Sequence, residues 1–448
     1  RSLEKNAMKI FPFVFFCACF LLFSQILQAQ NKNSTLYAGA AKVNITPKEP
    51  VYLSGYGGMY SERITDEVHD SLFCRAVVLR MNEKKVVFIS TDLIGSYFYE
   101  EVYEALQKNL NLKPEEVFLT AIHTHSAPVY TFLEKDKNTA NYRYTQEVIK
   151  KIVSAVKRAT AQTYPVTLEI KEGFSPIGIN RRALKFNPNM WPWDGGLIKM
   201  ARNPEGEVNN SVLVLKLGNE AGDFNACMFE YGCHARSQSP ASKVITGDFF
   251  GIAEQRVEEI QGKGMIAAGF AGASGDVDPI YVLNEIEEAP HWIPETELMG
   301  QLLAQEIVRT YRRTKEKITP LSLQSAFKTI SLPSRKEDEF ITNDSLPKTP
   351  LNITVTSIGE LAFVGIGCEV LVEIGNHIKA FSPYKHTFIM THCNGGAGYL
   401  SPKSLYKERG YEVSSSPFGP EAAEAVIKET LQLLYQQKTY LESVEKKR

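Results

Sequence analysis

The sequence predicts an α/β fold of layered mixed sheets flanked by helices, and two observations carry that prediction. Short apolar β-rich runs alternate with segments of helical periodicity in the first third of the chain, which implies strand–helix–strand units with parallel pairs. The middle of the chain then becomes richer in strands, so the sheets are expected to be mixed.

The elements follow in order. Val86-Val87-Phe88-Ile89 reads as a buried strand and ends in Thr91-Asp92. Val102, Leu106 and Leu110 recur four apart, as on one helix face. Val117 to Ile122 is a second buried strand and runs into His123-Thr124-His125-Ser126. Ile149, Ile152, Val153 and Val156 have the spacing of an amphipathic helix. Val166 to Ile170, Val212 to Leu217 and Cys227 to Tyr231 are expected strands. Asp248 is expected to cap a helix running to about Ile260. Met265 to Phe270 reads as a strand before the Gly-rich turn Ala271 to Asp276, and Glu297 to Arg313 as a helix. Leu321 to Leu332 and Ile353 to Gly367 read as strands, Ser334 to Thr349 as a surface loop, and Glu424 to Gln436 as the last helix. No internal repeat or low-complexity linker divides the chain, so residues 30–448 are expected to form one domain.

Residues 1–29 are expected to lie outside it. Met8-Lys9 opens a run, Ile10 to Leu27, that is apolar apart from Ser24 and Gln25, and Ala29 offers a small cleavage residue. A basic start, a short apolar run and a small residue read as a secretory signal, and hence a secreted or periplasmic protein. The run is short for a bilayer span and no second such segment follows, so no integral membrane segment is expected after signal removal.

Composition excludes other classes. Lys plus Arg number 50 and Asp plus Glu 51, a net charge of -1 with no general attraction for nucleic acid. The expected partner is a small-molecule or lipid substrate. Seven cysteines, of which Cys17 and Cys19 leave with the signal, make no disulfide scaffold, and no CxxC pair suggests a zinc knuckle. Cys74, Cys227, Cys233, Cys368 and Cys393 are expected as small core residues.

The chain has eight histidines, so their placement is informative. His123 and His125 follow a strand directly; if extended, residues two apart point to one side, which suits a metal. His234 follows another strand. A catalytic zinc needs three protein ligands and an open place for water. Asp92, Asp248, Asp276, Asp278 and Glu369 all follow strand-like runs and are all carboxylate candidates for one crevice at the carboxyl ends of strands. Residue types alone leave the choice among them open.

A family resemblance narrows it. The motifs Ala40 to Pro47, Val68-His69-Asp70-Ser71-Leu72-Phe73-Cys74-Arg75-Ala76, Thr91-Asp92-Leu93 and Thr120 to Pro128 are followed by Ile179-Asn180-Arg181-Arg182 and His234. Then come Ile245-Thr246-Gly247-Asp248, Gly275-Asp276-Val277-Asp278-Pro279, Gly367-Cys368-Glu369, Asn394 to Tyr399 and Pro417-Phe418-Gly419-Pro420. In this order they resemble the neutral ceramidases, secreted zinc amidases that split ceramide into sphingosine and a fatty acid. The resemblance implies zinc held by His123, His234, Glu369 and Tyr399, with His125 facing substrate and Arg181 holding the substrate or its oxyanion. It implies a hydrolase that cleaves an N-acyl amide bond with zinc-activated water.

Two departures bear on substrate. Where those enzymes carry a serine after Gly-Asp-Val, this chain has Asp278, which has no hydroxyl and is expected to act instead as a general base or to bind a polar substrate. The expected domain is also the catalytic unit without the immunoglobulin-like domain that follows it in the family. An alternative is therefore a zinc hydrolase of the same fold acting on an ester or on the N-acyl group of a non-sphingolipid such as a carbohydrate. A third reading, from another class, is a metal-containing binding protein without catalysis.

Overall fold

The structure is a computed structural model, and it describes residues 35–57, 61–184, 197–262, 264–281, 294–335 and 348–446. The expected signal segment and most of the Ser334–Thr349 loop lie outside the described residues.

Three sheets share one apolar core. The first orders Val117–Ala121, Lys84–Thr91, Phe73–Met81, Leu36–Asn44 and Tyr164–Pro165. The second orders Ile266–Ala271, Asn225–Tyr231, Ser211–Gly218, Thr167–Phe174 and Glu316–Ile318. The third orders Leu323–Leu332, Thr349–Ile358, Leu361–Ile366 and His386–Met390. Alternate residues of each strand point to opposite faces. Val86 and Phe88 therefore enter the shared core while Val87 and Ile89 face the opposite layer. Phe88 meets Phe118 at 4.9 Å, Phe270 at 6.3 Å and Phe363 at 4.6 Å between ring centroids, so one side chain ties the three sheets together.

The outer faces are covered by helices, which is why the central strands are apolar on both sides. Ala140–Ala161 covers the first sheet; Thr139 caps it by accepting the Tyr142 N–H. Asp248–Gln261 and Pro294–Arg313 cover the second, placing Phe249, Phe250, Met299 and Leu303 against Val212 and Val214. Val372–Phe381 and Ala422–Glu445 cover the third. The last helix is longer at both ends than the apolar periodicity indicates. The expected cap at Asp248 needs correction: Gly247 is the N-cap, and Asp248 is the first helical residue.

Parallel pairing is confined to one place in each large sheet. Lys84–Thr91 and Val117–Ala121 are parallel, joined through the helix Tyr99–Leu110. Asn225–Tyr231 and Ile266–Ala271 are parallel across Asp248–Gln261. Leu361–Ile366 and His386–Met390 are parallel across Val372–Phe381. A parallel pair needs such a crossover, and it sends the carboxyl ends of both strands to the same side. Cys74, Cys227, Cys233, Cys368 and Cys393 are buried and free.

Candidate active site

The carboxyl ends of those parallel strands supply the site. His123 and His125 follow Val117–Ala121, His234 follows Asn225–Tyr231, Glu369 follows Leu361–Ile366, and His392 follows His386–Met390. Ligand sites at such strand ends are a general property of α/β sheets.

His123 and His125 do not continue an extended strand. His123 has φ 69°, a left-handed conformation that non-glycine residues seldom adopt. The two rings are perpendicular, with centroids 4.9 Å apart, and their Nε2 atoms lie 3.4 Å apart. His392, also left-handed at φ 52°, stacks on His123 at 3.9 Å. Gly55 admits the His125 side chain: a Cβ there would come within 2.5 Å of the His125 Cβ.

Glu369 lies between the imidazoles. Its Oε2 is 3.5 Å from His123 Nε2 and 3.4 Å from His234 Nε2. Donors about 2.1 Å from a tetrahedral metal lie roughly 3.4 Å from one another, so the spacing fits an ion between them. His234 Nε2 and Glu369 Oε2 are buried without a hydrogen-bond partner. The far nitrogen of each ring is fixed to a carbonyl, His123 Nδ1 to Ile94 O and His234 Nδ1 to Ser274 O, both at 2.6 Å. Such contacts orient metal-binding imidazoles and leave Nε2 free to coordinate. Burial and then the Arg181 charge push His234 down to about 4, which keeps it neutral. Burial alone would raise Glu369, but the adjacent His123 and His234 hold it well below the usual carboxylate range. The residues present therefore fit a divalent metal.

Tyr399 reaches the same place by strand register. The two-residue strands Glu369–Val370 and Tyr399–Leu400 are parallel, and Glu369 pairs directly with Tyr399. Burial first, and the neighbouring Glu369 carboxylate second, raise Tyr399 well above 10. Its hydroxyl accepts a hydrogen bond from Arg181 Nη2 at 3.2 Å. A cleft of about 440 Å³ opens here, lined by His123, His125, Glu369, Tyr399, Tyr56 and Tyr411 among others. Tyr56 packs edge-on to His125 at 4.9 Å, and burial pushes His125 well below its ordinary value.

The five candidate carboxylates divide sharply. Asp92 lies in a buried cluster with Arg75, 3.1 Å from its Nη1. Asp248 accepts from the Ser237 backbone and hydroxyl, and Asp276 from the Val372 N–H and the Asn180 amide. Asp278 is fully buried, its Oδ1 3.0 Å from Arg181 Nη1 and its Oδ2 3.6 Å from Arg236 Nη1. Although burial opposes it, Arg236 and then Arg181 hold Asp278 below the usual carboxylate range. Arg181 itself is 1% exposed and lies behind Tyr399. Of the five, Glu369 joins the histidines.

Residue-level reasoning missed His392, Arg236, Glu412 and the tyrosines of the cleft. His392 carried the same signal as His123 and His234, a histidine just past a buried strand. Glu412 had no local signal, because its importance comes from arginines about 230 positions away.

The chain resembles a solved ceramidase complexed with C2, with a TM-score of 0.73 and 18% identity over 91% of this chain and 76% of that chain. It also resembles the neutral ceramidase from Pseudomonas aeruginosa, with a TM-score of 0.70 and 19% identity over 89% of this chain and 74% of that chain. At such identities the likeness establishes the fold, a mixed α/β arrangement. Residues 37–285, more than half of the sequence, match the profile described as neutral/alkaline non-lysosomal ceramidase, N-terminal. The chain belongs to the neutral/alkaline non-lysosomal ceramidase family.

Proposed function

We propose that this chain is a secreted, zinc-dependent hydrolase that cleaves an N-acyl amide bond in the manner of a ceramidase. The observation that carries the reading is the buried Glu369 Oε2, 3.5 Å from His123 Nε2 and 3.4 Å from His234 Nε2, with no hydrogen-bond partner at His234 Nε2 or Glu369 Oε2. These three would hold the zinc, with Tyr399 beside Glu369 completing the set. When bound, the zinc would polarise the acyl carbonyl and make a water more acidic.

The chain's own residues account for the remaining steps. Water adds to the acyl carbon, the C–N bond breaks, and the products are a carboxylic acid and an amine. His125 lines the cleft, and the reading gives it the proton, taken from water and passed to the departing amine. The Tyr399 hydroxyl, held by Arg181, is placed to steady the oxyanion. Asp278 is poorly suited to act as the base, because Arg181 and Arg236 stabilise its charged form and it does not line the cleft. Its fitting role is to hold Arg181.

A second reading concerns the substrate. Tyr56, Tyr97, Tyr130, Tyr399 and Tyr411 line the cleft, and aromatic faces carrying hydroxyls suit a polar, ring-shaped head group. With Asp278 in the serine's place, this favours an acylated sugar as the alternative to ceramide. No helix among the described residues is long and apolar enough to cross a membrane. Residues 1–29 are read as the export signal.

The test joins metal analysis to an assay panel of short-chain ceramide, N-acyl amino sugars and simple esters. The native protein is expected to carry about one zinc per chain. His234→Ala should lose both the zinc and turnover, the latter by on the order of 10³-fold or more. Full turnover in His234→Ala would end the proposal, and the panel decides between lipid and sugar.

A further inference from the structure

Arg181 is buried, and every edge of its guanidinium is occupied. Nε donates to Glu412 Oε1 at 2.8 Å, Nη1 to Asp278 Oδ1 at 3.0 Å, and Nη2 to the Tyr399 hydroxyl at 3.2 Å. A planar fork bound on three sides has one available orientation. Glu412 uses its second oxygen for the neighbouring arginine, 2.6 Å from Arg182 Nη1. Arg182 Nη2 also donates to the Arg409 carbonyl at 2.8 Å.

Glu412 is 2% exposed and sits in the short helical turn Tyr411–Ser414. The residue before it, Tyr411, lines the cleft and packs edge-on against Tyr399 at 5.6 Å. One turn of chain thus touches Tyr399 twice, through the ring of Tyr411 and, by way of Arg181, at the hydroxyl. The electrostatics require a carboxylate here. Arg181 and Arg182 are adjacent, both buried and both cationic, and a buried charge stripped of its partner is strongly destabilising. Asp278 serves the first of them alone, whereas Glu412 serves both.

We propose that Glu412 is a positioning residue: acting through Arg181, it fixes the Tyr399 hydroxyl at the cleft. The proposal rests on the reading above, in which Tyr399 touches the reacting acyl group. It also gives Arg181 a role at the site without requiring it to line the cleft.

Two variants and two measurements test it. Glu412→Gln removes the charge and turns one acceptor into a donor facing an arginine. Glu412→Asp keeps the charge but draws it back by one methylene, and it stands in if the first variant does not fold. Each is made in the native background and in Tyr399→Phe. In the native background kcat should fall about 10- to 100-fold while KM stays within about threefold, as expected for a group displaced by a fraction of an ångström. In Tyr399→Phe, which lacks the hydroxyl, the same change should cost less than about threefold. An equal loss in both backgrounds, or an unchanged kcat, overturns the proposal. A crystal structure of the variant supplies the measurement that needs no turnover. Loss of the Arg181–Tyr399 contact supports the positioning role, and its retention overturns it. If the native protein hydrolyses no N-acyl substrate, the proposed function fails, and the crystallographic result still decides the role of Glu412.

Discussion

Two buried ionic clusters can be compared directly. In the first, Arg75 is fully buried among Asp92, Glu254 and Glu258, at 3.1, 2.5 and 3.0 Å. In the second, Arg181 lies among Asp278, Glu412 and Tyr399 beside the histidines. In the first cluster every carboxylate oxygen is satisfied, although Arg75 Nη2 is buried without a hydrogen-bond partner. Both oxygens of Asp92, Glu254 and Glu258 find donors, among them the Phe73, Gly269 and Ala267 N–H groups and the Lys42 amine. In the second, Asp278 Oδ2 accepts no hydrogen bond, and the cluster borders two further acceptors that have none, Glu369 Oε2 and His234 Nε2. Burial and charge are alike in the two; the difference lies in satisfaction. A network whose acceptors are all satisfied braces the fold, whereas a set of converging, unpartnered lone pairs marks where something else binds.

The largest expected effect breaks the first cluster. Arg75→Met leaves three buried carboxylates whose one remaining cationic partner among the described residues is Lys42, and should cost about 3–5 kcal/mol of unfolding free energy in a denaturant titration. Zinc per folded chain should not change. A variant within about 1 kcal/mol of the native protein would show that the cluster does not brace the fold as argued.

Asp248 sharpens the comparison, because it has donors but no cation within salt-bridge distance among the described residues. Burial raises it from an ordinary 3.8 to about 6. The native state then holds a proton that the unfolded chain has released. Stability from this group is therefore fully present below about pH 4 and is lost as pH rises through 6, by roughly 3 kcal/mol. Asp248→Asn should flatten the pH dependence of unfolding between 4 and 6. An unchanged slope would mean that Asp248 ionises normally.

The smallest expected effect probes the second cluster. Asp278→Ser removes one of the three contacts on Arg181, and kcat/KM on the preferred N-acyl substrate should fall about 10- to 100-fold. Combined with Glu412→Gln, the two losses should not add, since both act through one guanidinium. A rise in activity on serine replacement would show that Asp278 hinders the chemistry.

Much of the fold was legible because both faces of the central strands are buried and their residues read as continuous apolar runs, as in Val86 to Ile89. The direction of pairing was partly legible. Strand–helix–strand order indicated the parallel pair of Lys84–Thr91 with Val117–Ala121, while the antiparallel neighbours that make each sheet mixed carried no such sign. Within the site, His123 and His234 stood out as histidines at strand ends. Glu369 was one of five carboxylate candidates and Tyr399 had no signal of its own; the family resemblance chose both. They meet through a parallel pairing only two residues long, too short for any periodicity to announce.

By itself the sequence located many of the strands and helices, since local side-chain pattern is written residue by residue, but it did not mark Leu36–Asn44, Phe73–Met81 or Val372–Phe381, and it ran the two strands Thr349–Ile358 and Leu361–Ile366 together. It also narrowed the chemistry to histidines and carboxylates following strands. Only the tertiary structure decided which carboxylate meets the histidines and which are consumed by arginines. That choice depends on contacts between positions as much as 231 residues apart, such as Arg181 with Glu412, and on which lone pairs are left unpartnered once the chain has closed around them.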